Sequence, residues 1–156
     1  VIGIDPAVTA TDDSDETGIL VAGVDRAGEG YVFDDLSGRY SPDGWARRVS
    51  YAYHHREADR AVAEVNNGGD LVEATLRTVD KAISYKAVRA TRGKYTRAEP
   101  IAALYEQGRV HHVGTFPELE DQMCTWVPGE KSPDRLDALV WALTELMLVP
   151  TGVVFG

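Results

Sequence analysis

Cys124 is the single cysteine in 156 residues, so the chain cannot form an internal disulfide and suits a reducing compartment. No uninterrupted apolar stretch approaches the ~20 residues needed to span a bilayer. No secretory signal pattern opens the chain either, and no membrane partner is expected. Positive charge is scarce: 16 Lys and Arg stand against 25 Asp and Glu. That net charge of −9 argues against indiscriminate nucleic-acid binding. A Walker A loop is missing, so any ATPase would lie outside this chain. The pairs His54-His55 and His111-His112 lack the Cys/His pattern of a zinc site. The segment Thr11-Asp12-Asp13-Ser14-Asp15-Glu16 lacks the glycine and distal glutamate of an EF-hand and reads as a solvated hairpin tip.

What remains is an ordinary globular balance, with 44% hydrophobic and 26% charged residues. The length suits one domain over residues 1–150, followed by a short tail at 151–156. Because the chain starts without Met and directly in a strand, it is expected to be part of something longer. Apolar runs at 1–4, 18–24 and 31–36 read as three strands joined by short turns, an antiparallel meander. Ser41-Pro42 starts a helix, as N-cap and first helical residue. A strand is expected at 61–65, ending in the turn Asn66-Asn67-Gly68-Gly69. The helix after it is expected to place Leu71, Val72, Leu76, Val79 and Ile83 on one inward face. Further elements are a strand at 87–90, a helix at 99–106 closed by Gly108, a strand at 110–113 and a helix at 117–126. The last strong helix, 132–147, turns Leu136, Leu139, Val140, Leu143 and Met147 inward. Three strands followed by alternating helices and strands imply an α/β fold, a mixed sheet with parallel additions flanked by helices. Cys124, Trp45, Trp126 and Trp141 are assigned to the core.

Four acids stand out against this frame. Asp5 ends the run Val1-Ile2-Gly3-Ile4, although a turn aspartate capping its own backbone would look the same. Glu64 ends Ala61-Val62-Ala63, where glutamate is a poor strand residue unless it lies at an edge facing water. Asp134 and Asp137 are three apart in an opening helical turn. There the helix dipole alone accounts for Asp134, whereas Asp137 borders the apolar stripe and needs a cation. Brought together, such acids repel one another unless a divalent metal sits among them, as in two-metal phosphoryl chemistry. Residues 81–98 hold Lys81, Lys86, Arg89, Arg92, Lys94 and Arg97 with no acid among them. This stripe suits a phosphate backbone, and charge alone does not separate that reading from a solvated helix face.

The ordered series Ile2-Gly3-Ile4-Asp5-Pro6-Ala7, Thr17-Gly18-Ile19, Glu64-Val65-Asn66-Asn67-Gly68-Gly69, Gly93-Lys94-Tyr95-Thr96-Arg97-Ala98, Gly108-Arg109-Val110, Leu119-Glu120-Asp121-Gln122-Met123 and Ser132-Pro133-Asp134-Arg135-Leu136-Asp137 resembles the C-terminal nuclease domain of bacteriophage terminase large subunits. The resemblance spans nearly the whole chain. It implies an RNase H-like fold and an endonuclease, dependent on Mg²⁺ or Mn²⁺, that cuts concatemeric viral DNA during genome packaging. It carries Asp5, Glu64 and Asp137 over as catalytic metal ligands, with Asp5 bridging two ions. Asp134 becomes either a fourth ligand or an outer acid. Lys86, Arg89, Arg92, Lys94 and Arg97 become candidates for DNA contact, although Lys94 and Arg97 could instead face Glu99 or Glu106. The implied partners are double-stranded DNA, the packaging ATPase domain, the small terminase subunit and the portal. The implied location is the bacterial host cytoplasm rather than the mature virion. Three alternatives stay open: a Holliday-junction resolvase of the same fold, an actin-like nucleotide-binding domain, and a DNA-binding or portal-docking module without catalysis.

Overall fold

Side-chain alternation along short apolar strands sets the architecture. The computed structural model describes residues 1–7, 16–65 and 69–149. The expected hairpin tip at 11–15, the turn at 66–68 and the tail from Pro150 lie outside the described residues. Strands β1 (Ile2–Asp5), β2 (Gly18–Val24) and β3 (Gly30–Asp35) form the expected antiparallel meander, with Asp5 opposite Gly18. Helix α1 (Pro42–His55) follows, and the Ser41 hydroxyl accepts the Gly44 N–H at 3.1 Å. Strand β4 (Ala61–Glu64) returns parallel to β1. Helix α2 (Gly69–Val79) then leads to β5 (Tyr85–Val88), parallel to β4. Helix α3 (Lys94–Glu106) crosses to β6 (Val110–His112), which adds in parallel to β3. Helices α4 (Pro117–Thr125) and α5 (Asp134–Leu143) complete the set, and α5 runs on into a wider π-type turn, Thr144–Leu148. The sheet order is β5-β4-β1-β2-β3-β6.

Each face of the sheet has its own core. Ile2, Ile4, Ile19, Val21, Ala61 and Ala63 pack under α1 and α2, against Trp45, Val49, Val72 and Leu76. Leu20, Ala22 and Val32 point the other way, into a second core with Ile101, Leu104, Leu119 and the inward residues of α5. Among the described residues, no helix is long and apolar enough to cross a membrane.

Several local expectations shift. Helix α3 starts at Lys94, not at 99, because Gly93 takes the N-cap position in extended backbone and the helix continues through Pro100. Strand β5 covers Tyr85–Val88 rather than 87–90, since its register follows the parallel pairing with β4. Leu71 is exposed, at 71%, because the packed face of α2 runs through Val72 and Leu76; Ile83 is buried beyond the helix end. Cys124 is exposed, and the inward position of α4 belongs to Leu119. Trp45 and Trp141 are buried as expected, with Trp126 only partly so.

Two strand glycines set how closely α5 lies on the sheet. A Cβ on Gly3 would stand 2.1 Å from the Ala138 carbonyl oxygen, and one on Gly18 would stand 2.1 Å from that of Asp134. Only glycine allows this approach. Gly3→Ala is expected to force α5 off the sheet and destabilise the fold by about 1–3 kcal/mol. Urea denaturation would show it as a lower midpoint at unchanged slope, and an unchanged midpoint would contradict the packing argument.

Candidate active site

Strand parity decides where the acids point. Ile2 and Ile4 belong to the core under α1 and α2, so Gly3 and Asp5 face α5. Ala61 and Ala63 belong to that same core, which turns Glu64 toward α5 as well. Parallel pairing sets Ile4 beside Ala63, and Asp5 and Glu64 end their strands one step further on. Glu64 therefore ends an interior strand of the sheet, not an edge facing water. The contact of Gly18 with the Asp134 backbone brings the start of α5 to the same end of β1. Asp134 and Asp137 occupy its first turn, where exposed N–H groups favour negative charge.

The Asp5 carboxyl records this crowding. Its pKa is raised to about 8, first by burial and then by the charges of Asp137, Asp134 and Glu64, with Lys94 pulling the other way. All four predicted acids thus act on one locus. Two cations near them come from α3. Lys94 Nζ donates to Asp137 Oδ2 at 2.5 Å, and Arg97 Nη1 donates to Glu64 Oε2 at 2.8 Å. The Arg97 guanidinium also lies 4.6 Å from the centroid of the Trp141 ring, one turn beyond Asp137. Lys94 and Arg97 therefore pair with the candidate site acids rather than with Glu99 or Glu106.

Among the described residues, no three His, Cys, Asp or Glu side chains are arranged as they stand to hold a metal ion. Asp137 and Glu64 instead share a charge-assisted hydrogen bond with a lysine and an arginine. The donors themselves suit a hard divalent cation, since all four are carboxylates and none is a thiolate or imidazole. A cation at this locus would relieve the charge of Asp5, which burial and the neighbouring acids disfavour.

Part of the basic segment is engaged away from the four acids. Lys86 reaches Glu145 at 2.9 Å, and Arg60 reaches the same carboxylate at 2.8 Å. Arg89 and Arg92 are exposed on the loop between β5 and α3, ahead of Lys94. Two supporting residues escape a linear reading. Arg135 is buried and pairs with Asp35 at 3.2 Å and Glu16 at 3.3 Å. Gln122 Oε1 accepts the Leu136 N–H at 3.3 Å, at a helix start whose own N-cap, Pro133, offers no side-chain bond. The strand glycines at 3 and 18 were the available sequence signal for a helix lying close on the sheet.

The profile of terminase RNaseH-like domains matches residues 2–146. The chain belongs to that family. As a terminase RNaseH-like domain it is similar to the large terminase nuclease from the thermophilic phage G20c, at 17% identity and a TM-score of 0.69, over 93% of this chain and 81% of that one. It is also similar to the yeast mitochondrial Holliday junction resolvase Ydc2, at 10% identity and a TM-score of 0.57, over 90% of this chain and 75% of the resolvase. A third likeness is to T. thermophilus RuvC in complex with a Holliday junction substrate, at 17% identity and a TM-score of 0.52, covering 92% and 90%. At these identities the structural likeness speaks for the fold. The expected RNase H-like fold of this terminase domain is borne out. Among curated proteins, no sequence match was found.

Proposed function

We propose that this domain is a divalent-metal-dependent endonuclease that cuts double-stranded viral DNA during genome packaging. The observation that carries the reading is the convergence of the charges of Asp137, Asp134 and Glu64 on a half-buried Asp5. A fold with no use for a cation would gain nothing from crowding acids together. Asp5, Glu64 and Asp137 would hold Mg²⁺ or Mn²⁺, with Asp134 beside them as a further or outer acid. Bound there, two such ions supply an activated water and neutralise charge at the departing oxygen.

The chain's own residues set the frame for that chemistry. Asp5 would offer its carboxylate oxygens to the ions beside those of Glu64 and Asp137. Arg97, set over the Trp141 ring, holds Glu64 in place through its hydrogen bond. Lys94, with the exposed Arg89 and Arg92 on the loop ahead of it, would contact phosphates, which position a duplex without reading its sequence. Lys86, engaged with Glu145, contributes least. In the complete packaging machine the partners would be the ATPase domain, the small terminase subunit and the portal, working in the host cytoplasm.

Plasmid cleavage tests this directly. Wild-type protein is expected to nick and linearise plasmid with Mn²⁺ and to be silent with EDTA. Asp137→Asn and Glu64→Gln should each lose more activity than the ~10–100-fold of an outer-partner change. Intact plasmid with wild-type protein and Mn²⁺, together with Mn²⁺ affinity unaltered in both variants, would remove the proposal. A strong preference for four-way junctions over linear duplex would reassign the domain to junction resolution.

A further inference from the structure

The first turn of α3 breaks a local rule. Helix N-termini favour acids, yet this one carries Lys94 and Arg97 and no acid. The placement is locally unfavourable, and the carboxylates across the gap offset it. The two cations are nevertheless held very differently. The Arg97 side chain is 12% exposed, lies over the Trp141 ring and is paired with Glu64. The Lys94 side chain is 47% exposed at the tip of the helix, next to Gly93, around which a Cβ would meet nothing within 4 Å. An ion pair with one partner half in water contributes little stability and breaks easily. A lysine ammonium on a flexible stem, unlike a stacked guanidinium, can also change partners without repacking its neighbours. Its present partner, Asp137, is one of the acids assigned above to the metal.

We propose that Lys94 is an exchangeable counterion, seated on Asp137 in the metal-free protein and transferred to a DNA phosphate when a divalent ion takes over that carboxylate. Metal and DNA then reinforce each other. A phosphate that draws Lys94 away frees Asp137 for the ion, and an ion on Asp137 frees Lys94 for the phosphate. Linkage requires the two effects to be equal in size. In an acidic body, such a device keeps the site from filling with metal until a duplex lies across it. The inference rests on the metal-nuclease reading and adds the coupling between its two ligands.

Mn²⁺ affinity, measured by the electron paramagnetic resonance of free Mn²⁺, tests it without any need for cleavage. Titrations would use the 156-residue chain alone and with a short phosphorothioate duplex, which is cut slowly. In wild type the duplex is expected to tighten Mn²⁺ binding by roughly 5–50-fold. Lys94→Gln should bind Mn²⁺ about tenfold more tightly than wild type without DNA, and should lose most of the tightening that DNA brings. Lys94→Arg, which retains a cation, should stay near wild type without DNA. Affinity in Lys94→Gln equal to or weaker than wild type without DNA would overturn the proposal, as would tightening by DNA that survives the substitution. A wild-type protein that binds no Mn²⁺ under either condition would instead bring down the metal-nuclease reading itself.

Discussion

Asp5→Asn is expected to make the metal-free protein more stable while leaving it unable to cut DNA. The Asp5 carboxyl is raised from 3.8 to about 8 by burial and by the acids around it. Because the folded state binds that proton more tightly than the unfolded chain, stability is full at low pH. It falls as pH rises from about 4 to about 8 and is flat above that. The slope is at most roughly 1.4 kcal/mol per pH unit. Asparagine keeps the shape of the neutral acid and has no proton to lose. At pH 7 with EDTA the variant should therefore exceed wild type by on the order of 2–4 kcal/mol, or roughly 5–10 °C in Tm. The difference should shrink toward pH 4. Added Mg²⁺ should raise the melting temperature of wild type and do little for the variant. Thermal melts across pH, with and without Mg²⁺, provide the measurement. A variant less stable than wild type at every pH would show that Asp5 is not held against its charge, and the argument for a cation site would go with it.

The second large effect lies beneath the site. Arg135→Met is expected to destabilise the protein by about 3–5 kcal/mol, the usual cost of removing one partner of a buried ion pair. Arg135 has 9% of its side chain exposed and faces Asp35, with 6% exposed. Asp35 also accepts the Ser37 N–H, but without Arg135 its charge has no buried cation opposite it in this pair. In the double variant Arg135→Met/Asp35→Leu, most of the loss should be recovered, since an apolar pair of similar volume replaces the charges. Denaturant melts of the four proteins form a double-mutant cycle. Purely additive losses would mean that the pair is not coupled.

These two predictions divide along the line between what could be read from the chain and what could not. The meander of β1 to β3 was legible because each strand opens on a dense apolar run and the turn between β2 and β3 is short. The start of α1 was legible because Ser41 and Pro42 are local signals with a mechanism of their own. Each of the four acids announced itself by sitting at the end of an apolar run or in an opening helical turn. Their convergence followed from strand parity once β1 and β4 were paired. The partners of Lys94 and Arg97 were not legible. They lie 43 and 33 residues away in sequence, and no local pattern encodes a contact of that separation. The pair between Arg135 and Asp35, 100 residues apart, was hidden for the same reason. Helix α3 begins five residues before the expected start because Gly93, which carries no capping side chain, takes the N-cap position, and Cys124 lies on the exposed side of α4, whose buried residue is Leu119.

Helix α5 has a consequence for how the domain can change over time. Residues 135 to 143 are all buried, and the helix rests on two glycines that leave it no clearance. The site therefore has one immovable wall, made of α5 and the sheet, and one adjustable wall, made of the 89–93 loop and the tip of α3. Adaptation to a different duplex geometry can proceed by sequence drift along the adjustable wall. The immovable wall offers selection almost nothing to vary.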